Sequence, residues 1–364
     1  TGSVRRDQSS RFTEENRTGY FPSASLGWNL GRESFIEGLN IFTDLKMRMS
    51  YGILGNQASA STYPSAGVIS SGLYGVFGST ESLSQGATLL TLSNPNLHWE
   101  TSSQADIGID ASFFEGKLTI EADWYRRLTY DIISSVPIPS YVGSQSNPVV
   151  NTAEVLNRGF DLSVKYNKAG TFSYSLGANL SPVHNEVTKL AQGKNEIFSA
   201  FLQGEPATHT EVGLPIGAFY GYQVEGIFQN AEEIASSATI GGEKPGDLKF
   251  KDIDANGVID EDDRVYLGSP IPTLTYGFSF NCDYKGFDFS ADLLGVSGNK
   301  VYNSKETFRF AVYNWEQHVA DAWTVDNPST TEPRVTNGGH NYRVSDRFLQ
   351  DGSFLRLRNS SLGY

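Results

Sequence analysis

Cysteine, methionine and long hydrophobic runs are what this 364-residue chain has least of. Cys282 stands alone and only two Met occur, so no internal disulfide can form and a disulfide-stapled scaffold is excluded. No apolar run approaches the roughly 18 residues that a membrane-spanning helix needs. Positive charge is short as well: 28 Lys and Arg against 41 Asp and Glu leave a formal net charge of −13, the wrong sign for a nucleic-acid binder. Catalytic constellations are missing. His98, His184, His209, His318 and His340 are scattered without metal-ligand spacing, and Cys282 has no base beside it. The chain opens at Thr1 with no initiator Met and no signal peptide, so the mature N-terminus is expected to lie outside it.

Hydrophobic residues are only 38% of the chain, but aromatics reach 12% and Gly numbers 37. That profile suits many short strands separated by Gly-, Asn- and Ser-rich turns. No segment sustains the helical apolar period.

The dominant pattern is period-two alternation. Leu45, Met47, Met49, Tyr51 and Ile53 share one face, and Lys46, Arg48, Ser50 and Gly52 the other, as strand geometry dictates. The same pattern recurs over Ala24–Leu30, Gln104–Phe113, Leu118–Trp124, Phe160–Tyr166, Ser173–Leu180, Tyr276–Tyr284 and Phe287–Leu293. A soluble β-sandwich also alternates. Connection lengths decide against it. Tight links at Glu115-Gly116-Lys117, Asn167–Thr171 and Lys285-Gly286 alternate with long excursions over about 56–103, 126–157, 181–273 and 299–347. An up-and-down barrel places short turns at one rim and long loops at the other. Trp28, Tyr51, Phe113, Trp124, Tyr166, Tyr174, Tyr276, Tyr284 and Phe287 lie near the ends of the apolar faces, where interfacial girdles belong. The sequence is therefore read as all-β: a transmembrane antiparallel up-and-down β-barrel with long extracellular loops, of which about nine strands can be counted.

The sharpest local motif runs from Asp252 to Asp263. It sets oxygen donors Asp252, Asp254, Asn256, Asp260 and Asp263 at positions 1, 3, 5, 9 and 12, with Gly257 at position 6 and the Val258 carbonyl at position 7. That is the spacing of a calcium loop, and a structural Ca²⁺ is expected there. An acidic Asx-rich turn is the plain alternative, and Lys249-Phe250-Lys251 is no entering helix. Glu121 and Asp123 share a strand face like a general acid/base pair, but polar residues on the inner face of a barrel are routine. Tyr141, Phe219, Tyr220, Tyr222, Trp315 and Trp323 could stack on sugars or peptide side chains, or simply pack their loops. The Gly72–Gly78 run lacks the context of a phosphate loop.

Six segments carry a more specific resemblance: Tyr20–Trp28, Leu45–Asn56, Asn94–Glu100, Asn157–Leu162, Gly246–Asp252 and Asp351–Asn359. Together they resemble the barrel of SusC/RagA-family TonB-linked outer-membrane transporters, in the family's order and across nearly the whole chain. The resemblance implies that residues 1–364 form part of a 22-stranded barrel. The signal, N-terminal extension, plug and last strands would lie outside the sequence, and 181–273 would be a long extracellular loop region carrying 252–263. It also implies import of oligosaccharides or peptides without covalent chemistry, with a SusD-like surface lipoprotein above and the TonB complex acting through the plug. A passive porin or adhesin barrel is the alternative, and a secreted all-β glycan-binding protein a more distant one.

Overall fold

The computed structural model describes residues 1–58, 67, 69–89, 92–136, 141, 147–191, 195–308 and 314–364. Two compact units divide the chain: Thr1–Asn195 with Gly277–Asp292 and Arg358–Tyr364, and Glu196–Tyr276 with Leu293–Leu357.

Ten strands form one sheet: β1 (Gly2–Gln8), β2 (Thr18–Trp28), β3 (Phe42–Asn56), β4 (Glu100–Phe113), β5 (Leu118–Ser135), β6 (Val149–Lys168), β7 (Phe172–Lys189), β8 (Leu274–Tyr284), β9 (Phe287–Ser297) and β10 (Phe354–Gly363). Each neighbours the next in chain order, the up-and-down topology expected from the alternating connections. Each pair from β1 to β7 is antiparallel. The tight turns follow their residues. Lys285 and Gly286 take φ of 50° and 90°, both left-handed as a type I′ hairpin requires.

Register stacks the apolar residues strand after strand. Leu26, Met49, Ile107, Trp124 and Phe160 are successive partners across β2 to β6. Trp28, Met47, Ile109, Ala122, Leu162 and Leu180 form the adjacent row across β2 to β7. Among the described residues, no second sheet covers this face. Residues of the first row are 39–66% exposed, whereas a sandwich would bury them. A large apolar side chain left in water forgoes roughly 1.5–3 kcal/mol, so a continuous sheet face of this kind requires hydrocarbon against it. The chain forms part of the wall of a transmembrane β-barrel.

The strands are longer than their apolar stretches. β5, β6 and β7 span 18, 20 and 18 residues, against the 9–11 or so that cross a bilayer. The excursion expected over 126–157 is corrected accordingly: β5 runs on to Ser135 and β6 begins at Val149. β7 likewise continues to Lys189, and residues 69–89 of the 56–103 excursion hold a hairpin, Ile69–Phe77 with Ser82–Leu89. Alternation fades where a strand leaves the membrane, because neither face need be apolar there. The backbone ladder continues regardless.

At the long-connection end of the first unit, Phe12, Phe21, Leu97, Trp99 and Ile133 make a small core. The Trp99 ring stands 5.4 Å from Phe12 and 5.5 Å from Phe21. Asn151 pins this corner, its Oδ1 accepting from His98 N at 3.0 Å and its Nδ2 donating to His98 O at 2.9 Å. The Asn94–Glu100 segment thus acts as a suture between connection and strand.

In the second unit, Glu196–Leu202, Glu205–Glu211, Ala218–Gly221 and Val265–Gly268 build a four-stranded sheet. Val224–Ile227 pairs with Leu248–Phe250. Tyr222, Ile227, Leu248, Phe250, Ile259 and Trp323 form its core. The Gly246–Asp252 segment is intelligible here. Gly246 has a φ of 90°, and a Cβ on it would strike the Trp323 ring. Leu248 and Phe250 enter the core, and between them Lys249 Nζ reaches Glu225 Oε2 at 3.2 Å.

Candidate functional site

Two arrangements follow from the fold: the polar face of the wall and the acidic loop of the second unit. On the wall, parity puts Arg48, Ser50, Asp106, Asp110, Glu121 and Asp123 opposite to the apolar rows, and all but Glu121 join hydrogen-bonded groups. Arg48 donates through Nε to Asp110 Oδ2 at 2.8 Å and through Nη2 to Asp110 Oδ1 at 2.6 Å and Asp123 Oδ2 at 3.0 Å. Ser50 Oγ donates to Asp106 Oδ2 at 3.0 Å, and Gln104 Nε2 to Asp106 Oδ1 at 2.8 Å. One guanidinium thus ties β3 to β4 and β5. Glycine opens the space: a Cβ at Gly108 would overlap the Asp123 carboxylate. Asp123 is committed to Arg48, so Glu121 and Asp123 are not a free acid/base pair. The face is polar and charged, opposite in character to the apolar rows.

In the acidic loop the structure brings together Asp252, Asp254 and Asp263, with carboxylate oxygens all within 4.8 Å of one another. Oxygens that share a calcium at about 2.3–2.6 Å lie no more than about 5 Å apart, so this donor set fits Ca²⁺. All the expected side-chain ligands are also engaged in turns, Asp252 Oδ2 accepting from Gly257 N at 2.9 Å and Asp254 Oδ1 from Asn256 N at 3.1 Å. Asn256 Oδ1 accepts from Val258 N at 2.8 Å, and Val258 bridges to Thr239. Asp260 accepts from Asp262 N at 2.9 Å and caps the short helix Glu261–Asp263. Asp263 is fully buried and accepts from Ile253 N at 2.6 Å and Asp260 N at 2.8 Å. Ile259, 3% exposed, ties the loop to the core.

A second carboxylate cluster had no signal in the sequence. His318 joins Glu306 and Glu316, with ligand atoms within 4.8 Å of one another, and its Nδ1 lies 3.1 Å from Glu332 Oε2. Spacing could not reveal this, because the acids come from three separate turns.

The candidate stacking aromatics divide. Tyr222 and Trp323 are core residues, and two guanidiniums flank Tyr222, with Arg264 Cζ 5.2 Å and Arg343 Cζ 5.7 Å from its ring centre. Trp323 Nε1 donates to Gln229 Oε1 at 3.0 Å. Phe219 sits 6.1 Å from Tyr302, whose hydroxyl pKa burial pushes well up. Tyr220 is half-buried and its hydroxyl pKa is likewise raised by burial. With Phe198, Phe201, Arg264 and Arg343 it lines a groove of about 790 Å³. Tyr141 and Trp315 are exposed. The groove was not legible in the sequence, since its walls come from Glu196–Leu202, Ala218–Gly221 and the distant Arg343.

Residues 1–230 match the family described as TonB dependent receptor-like, beta-barrel. Over 372 residues, 100% of this chain and 36% of the relative, the chain is 34% identical to TonB-dependent receptor P3 of Formosa agariphila. It is 30% identical to the TonB-dependent receptor SusC of Bacteroides thetaiotaomicron over 379 residues, 100% of this chain and 36% of the relative. The chain therefore spans little more than a third of the length of these relatives. Among solved structures, the RagAB peptide transporter superposes with a TM-score of 0.80 at 27% identity, covering 99% of this chain and 38% of that one. The chain belongs to the TonB-dependent receptor-like β-barrel family, in its SusC/RagA group.

Proposed function

We propose that this chain supplies wall, inner lining and outward loops to an outer-membrane importer of oligosaccharides or peptides in a Gram-negative bacterium. The importer is driven by the TonB complex and works with a SusD-like surface lipoprotein. The observation that carries this reading is the two-sided wall: in-register apolar rows that face hydrocarbon, and behind them a hydrogen-bonded charged lining centred on Arg48. The likeness to the TonB-dependent receptor SusC supports the energy coupling, and that to the RagAB peptide transporter supports a peptide as one substrate class. The residues do no covalent chemistry in this scheme. They keep the passage wet and hold the loops on which substrate and lipoprotein dock. Uptake of labelled oligosaccharides and peptides by cells carrying the full-length protein, with and without a protonophore, tests it. Uptake that persists undiminished without the proton gradient would point to a passive porin.

We further propose that Asp252, Asp254 and Asp263 hold a structural Ca²⁺, completed by the Val258 carbonyl, Asn256 and Asp260 after local rearrangement of their turns. The support is the convergence of three carboxylates around a Gly257 turn with a φ of 86°. The ion would offset their mutual repulsion and brace the segment that leads into the strand Val265–Gly268.

A further inference from the structure

Beyond the Trp124–Phe160 row, on the long-connection side, the next outward row reads Ala105, Arg126, Arg158 and His184, each directly opposite the next. Arg126, Arg158 and His184 are all exposed. Opposed residues on paired strands hold their Cβ atoms about 5 Å apart, and like charges so placed repel. The inward-facing arginines of the same wall do not face this problem, because Arg48 holds Asp110 and Asp123 and Arg127 Nε donates to Gln104 Oε1 at 2.7 Å. Among the described residues, Arg126 and Arg158 have no acceptor of that kind. Glu186 Oε2, a carboxylate of this region, lies 3.3 Å from His184 Nε2. In a chain of net charge −13, an opposed and uncompensated arginine pair calls for an anion from outside.

We propose that this row is a docking surface for the phosphate groups of an outer-leaflet glycolipid. The guanidinium fork matches phosphate oxygens two at a time, and a phosphate between Arg126 and Arg158 turns their repulsion into a shared attraction. Position selects a lipid over a soluble ion or an acidic protein. The row continues the hydrocarbon-facing surface without a break, next to the exposed rings of Trp124 and Phe160, at the level where headgroups begin. The same row carries Tyr51, paired to Ala105, a further aromatic suited to that boundary. The arginines interrupt the apolar rows of this face, and Leu128 opposes Leu156 two residues farther out.

The inference rests on the membrane reading above, and its test separates the two. The full-length protein is purified in detergent and its folded barrel scored by heat-modifiable migration. Binding of lipid A and of enzymatically dephosphorylated lipid A is then measured in mixed micelles. The folded wild type should bind the phosphorylated form about tenfold or more tightly, as expected of two surface cations. R126Q/R158Q should lose that preference, and R126K/R158K should keep part of it. Equal binding of both lipids by the folded wild type overturns the proposal, and this comparison does not depend on any variant folding. A preference that survives R126Q/R158Q also overturns it. So does a variant that sheds a surface lipoprotein while its lipid preference is unchanged. A wild type with no heat-modifiable form would instead refute the membrane reading itself.

Discussion

Arg334 clasps Asp247 across 87 residues of sequence, Nε to Oδ1 at 2.7 Å and Nη2 to Oδ2 at 3.1 Å. Asp247 is 1% exposed. Asn341 Nδ2 and Lys244 N fill its remaining acceptor positions at 2.9 and 2.8 Å. A buried charge keeps its place only with such complete pairing. Arg334→Met strips the counter-charge from a carboxylate that cannot reach water, and should destabilise the second unit by about 3–5 kcal/mol. Limited proteolysis of the full-length protein within Glu196–Leu357 measures this. Asp247→Asn should cost less than Arg334→Met, because it removes the buried charge together with its need for a partner.

The calcium reading predicts that a chelator lowers the melting temperature of the wild-type protein. Asp254→Ala should lower it similarly and abolish the response to chelator. Asp254 is the informative ligand because it is exposed, and its carboxylate otherwise serves only Asn256, at 3.1 and 2.9 Å. Asp263, by contrast, also holds the backbone at Ile253 and Asp260. A melting curve unmoved by chelation in the wild type would remove Ca²⁺ from the description.

The two faces of β6 should respond oppositely to charge. Leu162 lies in an apolar row between Ala122 and Leu180, and Leu162→Arg near mid-membrane should cost about 2–4 kcal/mol. Ser163, one residue on, pairs with Glu121 and Asn179 on the polar face. Ser163→Arg should be tolerated there. Equilibrium refolding into lipid vesicles compares them, and equal penalties would contradict the assignment of faces.

Arg48→Met should leave Asp110 and Asp123 facing each other without a cation. The side chains are about a third exposed, so the loss is modest, about 1 kcal/mol. Glu121→Gln, a change at an exposed residue outside this cluster, should leave both stability and uptake within twofold of wild type. Paired thermal and uptake assays on the full-length protein check both variants.

Asp346 provides a pH signature. Burial raises its pKa above the ordinary 3.8, and the hydrogen bond from Val224 N at 2.9 Å offsets this only partly. The folded state therefore keeps this proton to higher pH than the unfolded state does. Stability from this group is present below pH 3.8 and is lost as pH rises through the folded value. Asp346→Asn should flatten that part of the stability profile. A slope of the same size in the variant would assign it to another group.

Much of the wall was legible because strand alternation is local. Leu45–Ile53 and Gln104–Phe113 declare their apolar faces within a few residues, and the Lys285-Gly286 turn declares its hairpin. What escaped reading was β1, where Gly2–Gln8 carries Arg5, Arg6 and Asp7 and one apolar residue, Val4. An edge of that composition is recognisable only from its pairing with Thr18–Ala24. The outer halves of β5, β6 and β7 escaped for a related reason. Once the membrane no longer demands apolar side chains, Arg126 and Arg127 can occupy strand positions that look like loop. At the acidic loop the spacing located the carboxylates. It did not show that Asp260 would turn away to cap Glu261–Asp263.

By itself the sequence determined which residues of the alternating segments face hydrocarbon and which face water, and where the chain reverses at its tight turns. Both depend on neighbours two residues away, through a backbone whose side chains must alternate. Only the tertiary structure decided that Asp247 meets Arg334, that Arg264 and Arg343 flank Tyr222, and that Arg126 stands opposite Arg158. Those encounters depend on strand register and on segments up to a hundred or more residues apart. No local pattern encodes them, because each is favourable only once the rest of the chain has closed around it.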